Sequence, residues 1–257
     1  MNSESSQSLL SANDPAPVQI TNPGGPSPFL LIGDHAGNLI PESLGTLGLD
    51  EVDRTRHIAW DIGIAGLGML LAEQLDAPFI RQAYSRLVID CNRDPAAHDA
   101  MPEMSDRSLI PGNAGLAPEA RAARVAAIQA PYQSAIAAEL ERRDAVGQQT
   151  IMVALHSFTP SINGKDRPWQ IGLLYHAGDP SFARAMLAML CARGDLTVGD
   201  NEPYAMDSID YTIPQHAYPR RRPYVEIEIR QDLLATAAQQ AQWAALLKDV
   251  LVATAAL

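Results

Sequence analysis

The chain has 257 residues, 47% of them hydrophobic, and its 19 basic and 30 acidic side chains leave a net charge of −11. That length holds one large α/β domain or two small ones with a sizeable core. The acidic balance excludes broad binding to nucleic acid or to anionic membranes, which both require basic patches.

Residues 1–27, rich in Ser, Asn, Pro and Gly, read as a flexible N-terminal arm without a core of its own. The run 28–34 is the first buried strand, and it ends in Gly33-Asp34-His35-Ala36-Gly37. A helix is expected over about 62–75, because Ile64, Leu67, Leu70, Leu71 and Leu75 form one helical stripe. Short strands follow at 77–80 and 86–90, then a Pro- and Gly-rich loop over 95–117 long enough to close over a site.

A long helix is expected from Pro118 to the stop at Gly147, then a strand over 150–155 that leads into His156. After a polar loop at 159–168 comes a strand over 169–175. Asp179-Pro180 starts the next helix and Gly194 ends it. The Pro- and Tyr-rich segment 200–223 leads into a strand over 224–230, and a helix over 232–254 closes the chain. Strands alternating with helices predict a three-layer α/β/α sandwich, hydrolase- or phosphorylase-like, with a mixed, largely parallel central sheet in a single domain over 28–257.

Several classes drop out. Cys91 and Cys191 are the two cysteines and do not form a Cys-x-x-Cys pair, so a zinc knuckle or a disulfide framework is not expected. Neither a secretory leader pattern nor an apolar run of about 18 to 20 residues is visible, so a cytoplasmic protein without a membrane span is expected. The first strand-to-helix turn is neither a Gly-x-Gly-x-x-Gly fingerprint nor a Walker A loop, which leaves nucleotide binding little support.

His35 and His156 each follow an apolar strand, where the crevice of an α/β sheet forms. Two imidazoles delivered there suit a zinc ion, which in catalytic sites takes three protein ligands. The third is open at this level. Asp61 reads first as a helix N-cap, Glu42 and Asp34 are alternatives, and His57 is weaker. Ser157 lacks the Gly-x-Ser-x-Gly elbow of a nucleophile. Glu226 and Glu228 alternate with Val225, Ile227 and Ile229, so both acids share one strand face: a solvated edge, or a general base beside the metal. Arg86 and Arg93 flank Leu87-Val88-Ile89, placed for a carboxylate or for surface ion pairs.

With these segments laid out, the chain resembles the N-formylglutamate amidohydrolase family and, more distantly, zinc carboxypeptidases and aspartoacylases. The resemblance rests on Gly33-Asp34-His35-Ala36-Gly37, Trp60-Asp61, the string Ser85 to Pro95, Leu155-His156-Ser157, and the closing run from Tyr211 to Glu228. It implies one zinc ion held by His35, Asp61 and His156, although the carboxypeptidase-like relatives use a Glu where this chain has Asn38. It further implies Glu228 as the water-activating base, with Glu226 the alternative. Arg86 would polarise the scissile carbonyl, Asn92 and Arg93 would hold the substrate carboxylate, and His216 would stand near the leaving nitrogen. The implied activity is removal of a formyl or small acyl group from an N-acyl amino acid by a monomer or homodimer. The alternatives are a carboxypeptidase-like peptidase and an inactive metal-binding relative. Gly33-Asp34, where many members have a proline, and the segment from Gly199 to Tyr204 set the chain apart within the family.

Overall fold

The computed structural model describes residues 8–207 and 209–257. Strands and short helices follow in chain order as β1 (Val18–Thr21), β2 (Phe29–Gly33), α1 (Glu51–Thr55), α2 (Ile64–Leu75) and β3 (Phe79–Gln82). A small hairpin, β4 (Met104–Ser105) and β5 (Ser108–Leu109), precedes α3 (Pro118–Arg124) and α4 (Ala130–Ala145), which are joined by a π-helical segment, Val125–Gln129. Then come β6 (Ile151–Phe158), a second hairpin of β7 (Ser161–Ile162) and β8 (Lys165–Asp166), β9 (Ile171–Leu174), α5 (Ser181–Arg193) and β10 (Val198–Asp200). The chain closes with α6 (Thr212–His216), β11 (Tyr224–Arg230) and α7 (Ala237–Ala255).

Seven strands form one sheet in the order β1-β3-β2-β6-β11-β9-β10. β3, β2, β6 and β11 run parallel, as do β9 and β10, while β1 and β9 are antiparallel to β3 and β11. Alternation along β6 and β11 divides the core. Val153, Leu155, Val225, Ile227 and Ile229 pack against α2, α5 and α7 through Leu67, Leu71, Met186, Trp243 and Leu247. Leu30, Ile32, Met152 and Tyr224 pack on the other face against Tyr132, Ile136 and Leu140 of α4. The expected three-layer sandwich with a mostly parallel sheet is what the chain forms.

Three local expectations change. Part of the 1–27 arm is ordered by the sheet, since Val18–Thr21 pairs with β3 and the Tyr84 hydroxyl donates to the Pro15 carbonyl at 2.7 Å; residues 1–7 of that arm lie outside the described residues. The apolar run at 86–90 is not a strand but a buried turn. Val88 N–H bonds to the Ser85 carbonyl, Leu87 N–H to Ser85 Oγ, and Arg86 N–H to Ala59. The 95–117 segment is not bare loop, because it carries the β4–β5 hairpin and two 3-10 turns. Among the described residues, no helix is long and apolar enough to cross a membrane.

Candidate metal and hydrolytic site

The carboxyl ends of β2, β6 and β11 open into a cavity of about 440 Å³, an amino-acid-sized space. β2 ends at Gly33 and delivers His35 two residues later. The turn then closes on Gly37, where a Cβ would fall 2.1 Å from the Ala83 carbonyl oxygen, so only glycine fits. β6 delivers His156, and register pairs it with Glu228 on β11. Both glutamates stand on the cavity side of a central strand and are buried, so the solvated-edge alternative fails.

Asp61 reaches the same point from before α2. Its N–H donates to the His35 carbonyl at 2.9 Å, which ties the two segments together. The helix is capped instead by Gly63, at φ 87°, so the Asp61 carboxylate is free to enter the site. There its Oδ2 lies 2.9 Å from His156 Nδ1, 3.5 Å from His35 Nδ1 and 3.3 Å from the Ser157 N–H. Donor atoms of His35, Asp61 and His156 all fall within 4.8 Å of one another. The other third-ligand candidates point elsewhere. Asn38 donates to the Arg54 carbonyl, and Glu42 is exposed, accepting from Ser11. Asp34 stands behind His156, Oδ2 to Nε2 at 3.3 Å. His57 lies beside Asp106, with its Nε2 3.4 Å from that carboxylate.

Each imidazole is backed by a second carboxylate. His35 Nε2 meets Asp90 Oδ1 at 2.7 Å, and Asp90 Oδ2 accepts from Arg86 Nε at 3.1 Å and Nη2 at 2.6 Å. The turn at 86–90 makes that fork possible by folding Arg86 back on Asp90. Arg86 Nη1 remains 3.6 Å from Asp61 Oδ1, at the cavity wall. Asp90 is a site residue that no sequence signal singles out, though it lies inside the string that carries the resemblance.

Charge in the site is lopsided. Burial favours the neutral form of Asp90, yet Arg86 and His35 hold its carboxyl well below the usual range. Asp61 is likewise held low despite burial, by His35 and His156. Burial and Arg86 pull His35 down, but Asp90 and Asp61 raise it overall. His156 is raised well above its ordinary value although burial opposes this, chiefly by Glu226, Asp34 and Asp61. Glu226 is pushed well up by burial, and Glu228 up to about 7 by the same cause, partly offset by His156. Among the described residues, His35 Nδ1, Glu226 Oε2 and Glu228 Oε2 are buried without a hydrogen-bond partner. A pocket that pulls protons onto two buried imidazoles lacks positive charge, and a divalent cation meets that need. The donor set of two imidazoles and a carboxylate suits zinc.

Arg93 lines the cavity, with Nε 3.2 Å from Asp99 and Nη1 4.0 Å from Asp210. Asn92 also lines it, but its Oδ1 accepts from the N–H groups of Tyr211 and Thr212 at 2.9 Å each, fixing the start of α6. His216 is not brought to the cavity. It bonds through Nε2 to Gln133 Oε1 at 2.7 Å, and burial lowers it to about 4.

The family model for N-formylglutamate amidohydrolase matches residues 27–235. The chain belongs to that family. Its fold superposes on the crystal structure of gene product Atu2144 from Agrobacterium tumefaciens with a TM-score of 0.93 and 36% sequence identity, covering 96% of this chain and 98% of that one. An N-formylglutamate amidohydrolase from Ralstonia eutropha JMP134 shares the fold at a TM-score of 0.64 and 19% identity, over 93% of this chain and 96% of that one. Among curated proteins, none matches the sequence. Membership of this family makes the chain a hydrolase of the amidohydrolase type acting on a small molecule.

Proposed function

We propose that this hydrolase is zinc-dependent and removes the formyl, or a small acyl, group from an N-acyl amino acid. The observation that carries the reading is the buried convergence of His35, Asp61 and His156 beside the unpartnered Glu228 carboxyl. His35, Asp61 and His156 would hold one ion. When bound, that ion supplies Lewis-acid polarisation of a carbonyl and acidification of water.

The chain's own groups do the rest. Glu228, pushed up to about 7, is matched to taking a proton from water and returning it to the leaving nitrogen near neutral pH. Oxygen from water adds to the acyl carbon, the C–N bond breaks, and formate and the free amino acid result. Arg86, fixed by Asp90, presents Nη1 to the developing oxyanion, where losing one donor typically costs on the order of 3 kcal/mol. Arg93 orients the substrate by exchanging its Asp99 and Asp210 contacts for the amino-acid carboxylate, with Asn92 beside it. Tyr204, Asp210 and Glu226 complete the wall that a side chain would meet.

The test is zinc content together with formate release from a panel of N-formyl amino acids, N-formylglutamate included. Stoichiometric zinc with formate release is expected. Cleavage of peptides without deformylation would favour the carboxypeptidase-like alternative, and bound zinc with no turnover on any acyl donor the inactive one.

A further inference from the structure

His35 and His156 are backed differently. The carboxylate behind His35 ends at Arg86 on the cavity wall. The one behind His156 continues away from the cavity through three more side chains. Asp34 Oδ1 accepts from Thr212 Oγ1 at 2.6 Å. Thr212 Oγ1 accepts from Gln133 Nε2 at 3.1 Å, and Gln133 Oε1 meets His216 Nε2 at 2.7 Å. Asp34, Thr212 and Gln133 are buried, while His216 is partly exposed. Thr212 and His216, four residues apart on α6, share a helix face, and both meet Gln133 on α4.

Donor and acceptor roles are fixed from His216 to Thr212. Gln133 Nε2 also faces the Cys91 carbonyl at 2.8 Å, which can only accept, so the amide nitrogen is the end turned to Thr212. Gln133 Oε1 must then accept, which makes His216 Nε2 the donor. The Thr212 hydroxyl, already accepting from Gln133, has one proton to give, and the short contact gives it to Asp34. Asp34 Oδ2 faces His156 Nε2 at 3.3 Å, and neither atom has a hydrogen-bond partner elsewhere among the described residues. A proton on Nε2 meets that carboxylate, which leaves Nδ1, 2.9 Å from Asp61 Oδ2, as the ring nitrogen for a cation shared with Asp61.

We infer that Asp34, Thr212, Gln133 and His216 form a positioning network that holds the His156 ring from its Nε2 side and aims Nδ1 at the metal position. The inference rests on the reading of His156 as a ligand. It uses two residues the hydrolytic chemistry leaves over: Asp34, behind His156, and His216, which the fold keeps out of the cavity. Partners of this kind typically contribute roughly 10–100-fold to metal affinity by holding ring orientation and tautomer.

Zinc affinity, measured by competition with a chromophoric chelator, should weaken roughly 10–100-fold in Thr212→Val and return close to wild type in Thr212→Ser. Nitrogen-15 NMR of the zinc-loaded wild-type protein should show His156 bound through Nδ1 with its proton on Nε2. Equal zinc affinity in Thr212→Val and wild type would overturn the network while leaving the ligand reading intact. Failure of the wild type itself to bind zinc would overturn the ligand reading, and the network with it. If Thr212→Val does not fold, the zinc-loaded wild type decides: coordination through His156 Nε2 overturns the proposal.

Discussion

On one face of β6 and β11, Val153, Leu155, Val225, Ile227 and Ile229 are wholly buried among the side chains of α2, α5 and α7. On the other, one residue along in each case, His156, Glu226 and Glu228 look into the cavity. The same backbone serves both because side chains alternate across a strand. The apolar face contributes stability by removing hydrocarbon from water. The polar face does the reverse, holding unpartnered carboxyl oxygens and two imidazoles out of solvent, each at a cost in folding free energy. The fold therefore concentrates its destabilising groups where the parallel strands end, and lets the opposite face of the same strands offset them.

That division of labour can be broken one side at a time. Glu228→Gln keeps the shape and removes the proton acceptor, so kcat should fall roughly 10²–10⁴-fold, or about 3–5 kcal/mol in barrier. Its thermal midpoint should be unchanged or higher, because a buried ionisable group is gone; loss of both activity and stability would blur the division. Ile227→Ala, next to it on the opposite face, should cost about 2–5 kcal/mol in a denaturant titration and leave zinc affinity at the wild-type level. A cavity-face phenotype from Ile227→Ala would show the two faces to be coupled.

A smaller effect distinguishes the cavity from its support. His216 has a folded pKa of about 4, below its ordinary value near 6.5, through burial. Between those values the unfolded chain binds the proton and the folded chain does not. Stability is therefore full above about pH 6.5 and declines as pH falls toward about 4, by up to about 3 kcal/mol. His216→Gln should flatten that part of the stability profile. An unchanged slope would place the acid sensitivity elsewhere.

Much of this was legible in the sequence, for physical reasons. The runs ending at His35 and His156 and the Ile64-to-Leu75 stripe carry their periodicity on the surface, and Gly194 marks a helix end at φ 74° as expected. The strand from Tyr224 to Arg230 could be read to the residue, but not whether its acidic face met solvent or a cavity, since that depends on which strands flank it. Arg86 to Asp90 reads as a strand because Leu87, Val88 and Ile89 are apolar and β-prone. Contacts with Ala59, far away in sequence, make it a turn instead. Val18–Thr21 is too short to announce itself and exists as a strand because β3 offers an edge. Asp61 reads first as a helix cap, and it is Gly63 at the cap position and contacts with His35 and His156 from distant segments that put its carboxylate in the site. Asp34 and His216 were visible as residues, but their connection runs through Gln133 on a helix that no motif linked to them.

The central claim is that His35, Asp61 and His156 form one metal site that the hydrolysis requires. The direct measurement is metal content by elemental analysis, with formate release assayed on the same samples, for the wild type and His35→Ala. The account predicts one zinc per wild-type chain and joint loss of zinc and activity in the variant. A His35→Ala protein that still releases formate at the wild-type rate would contradict it.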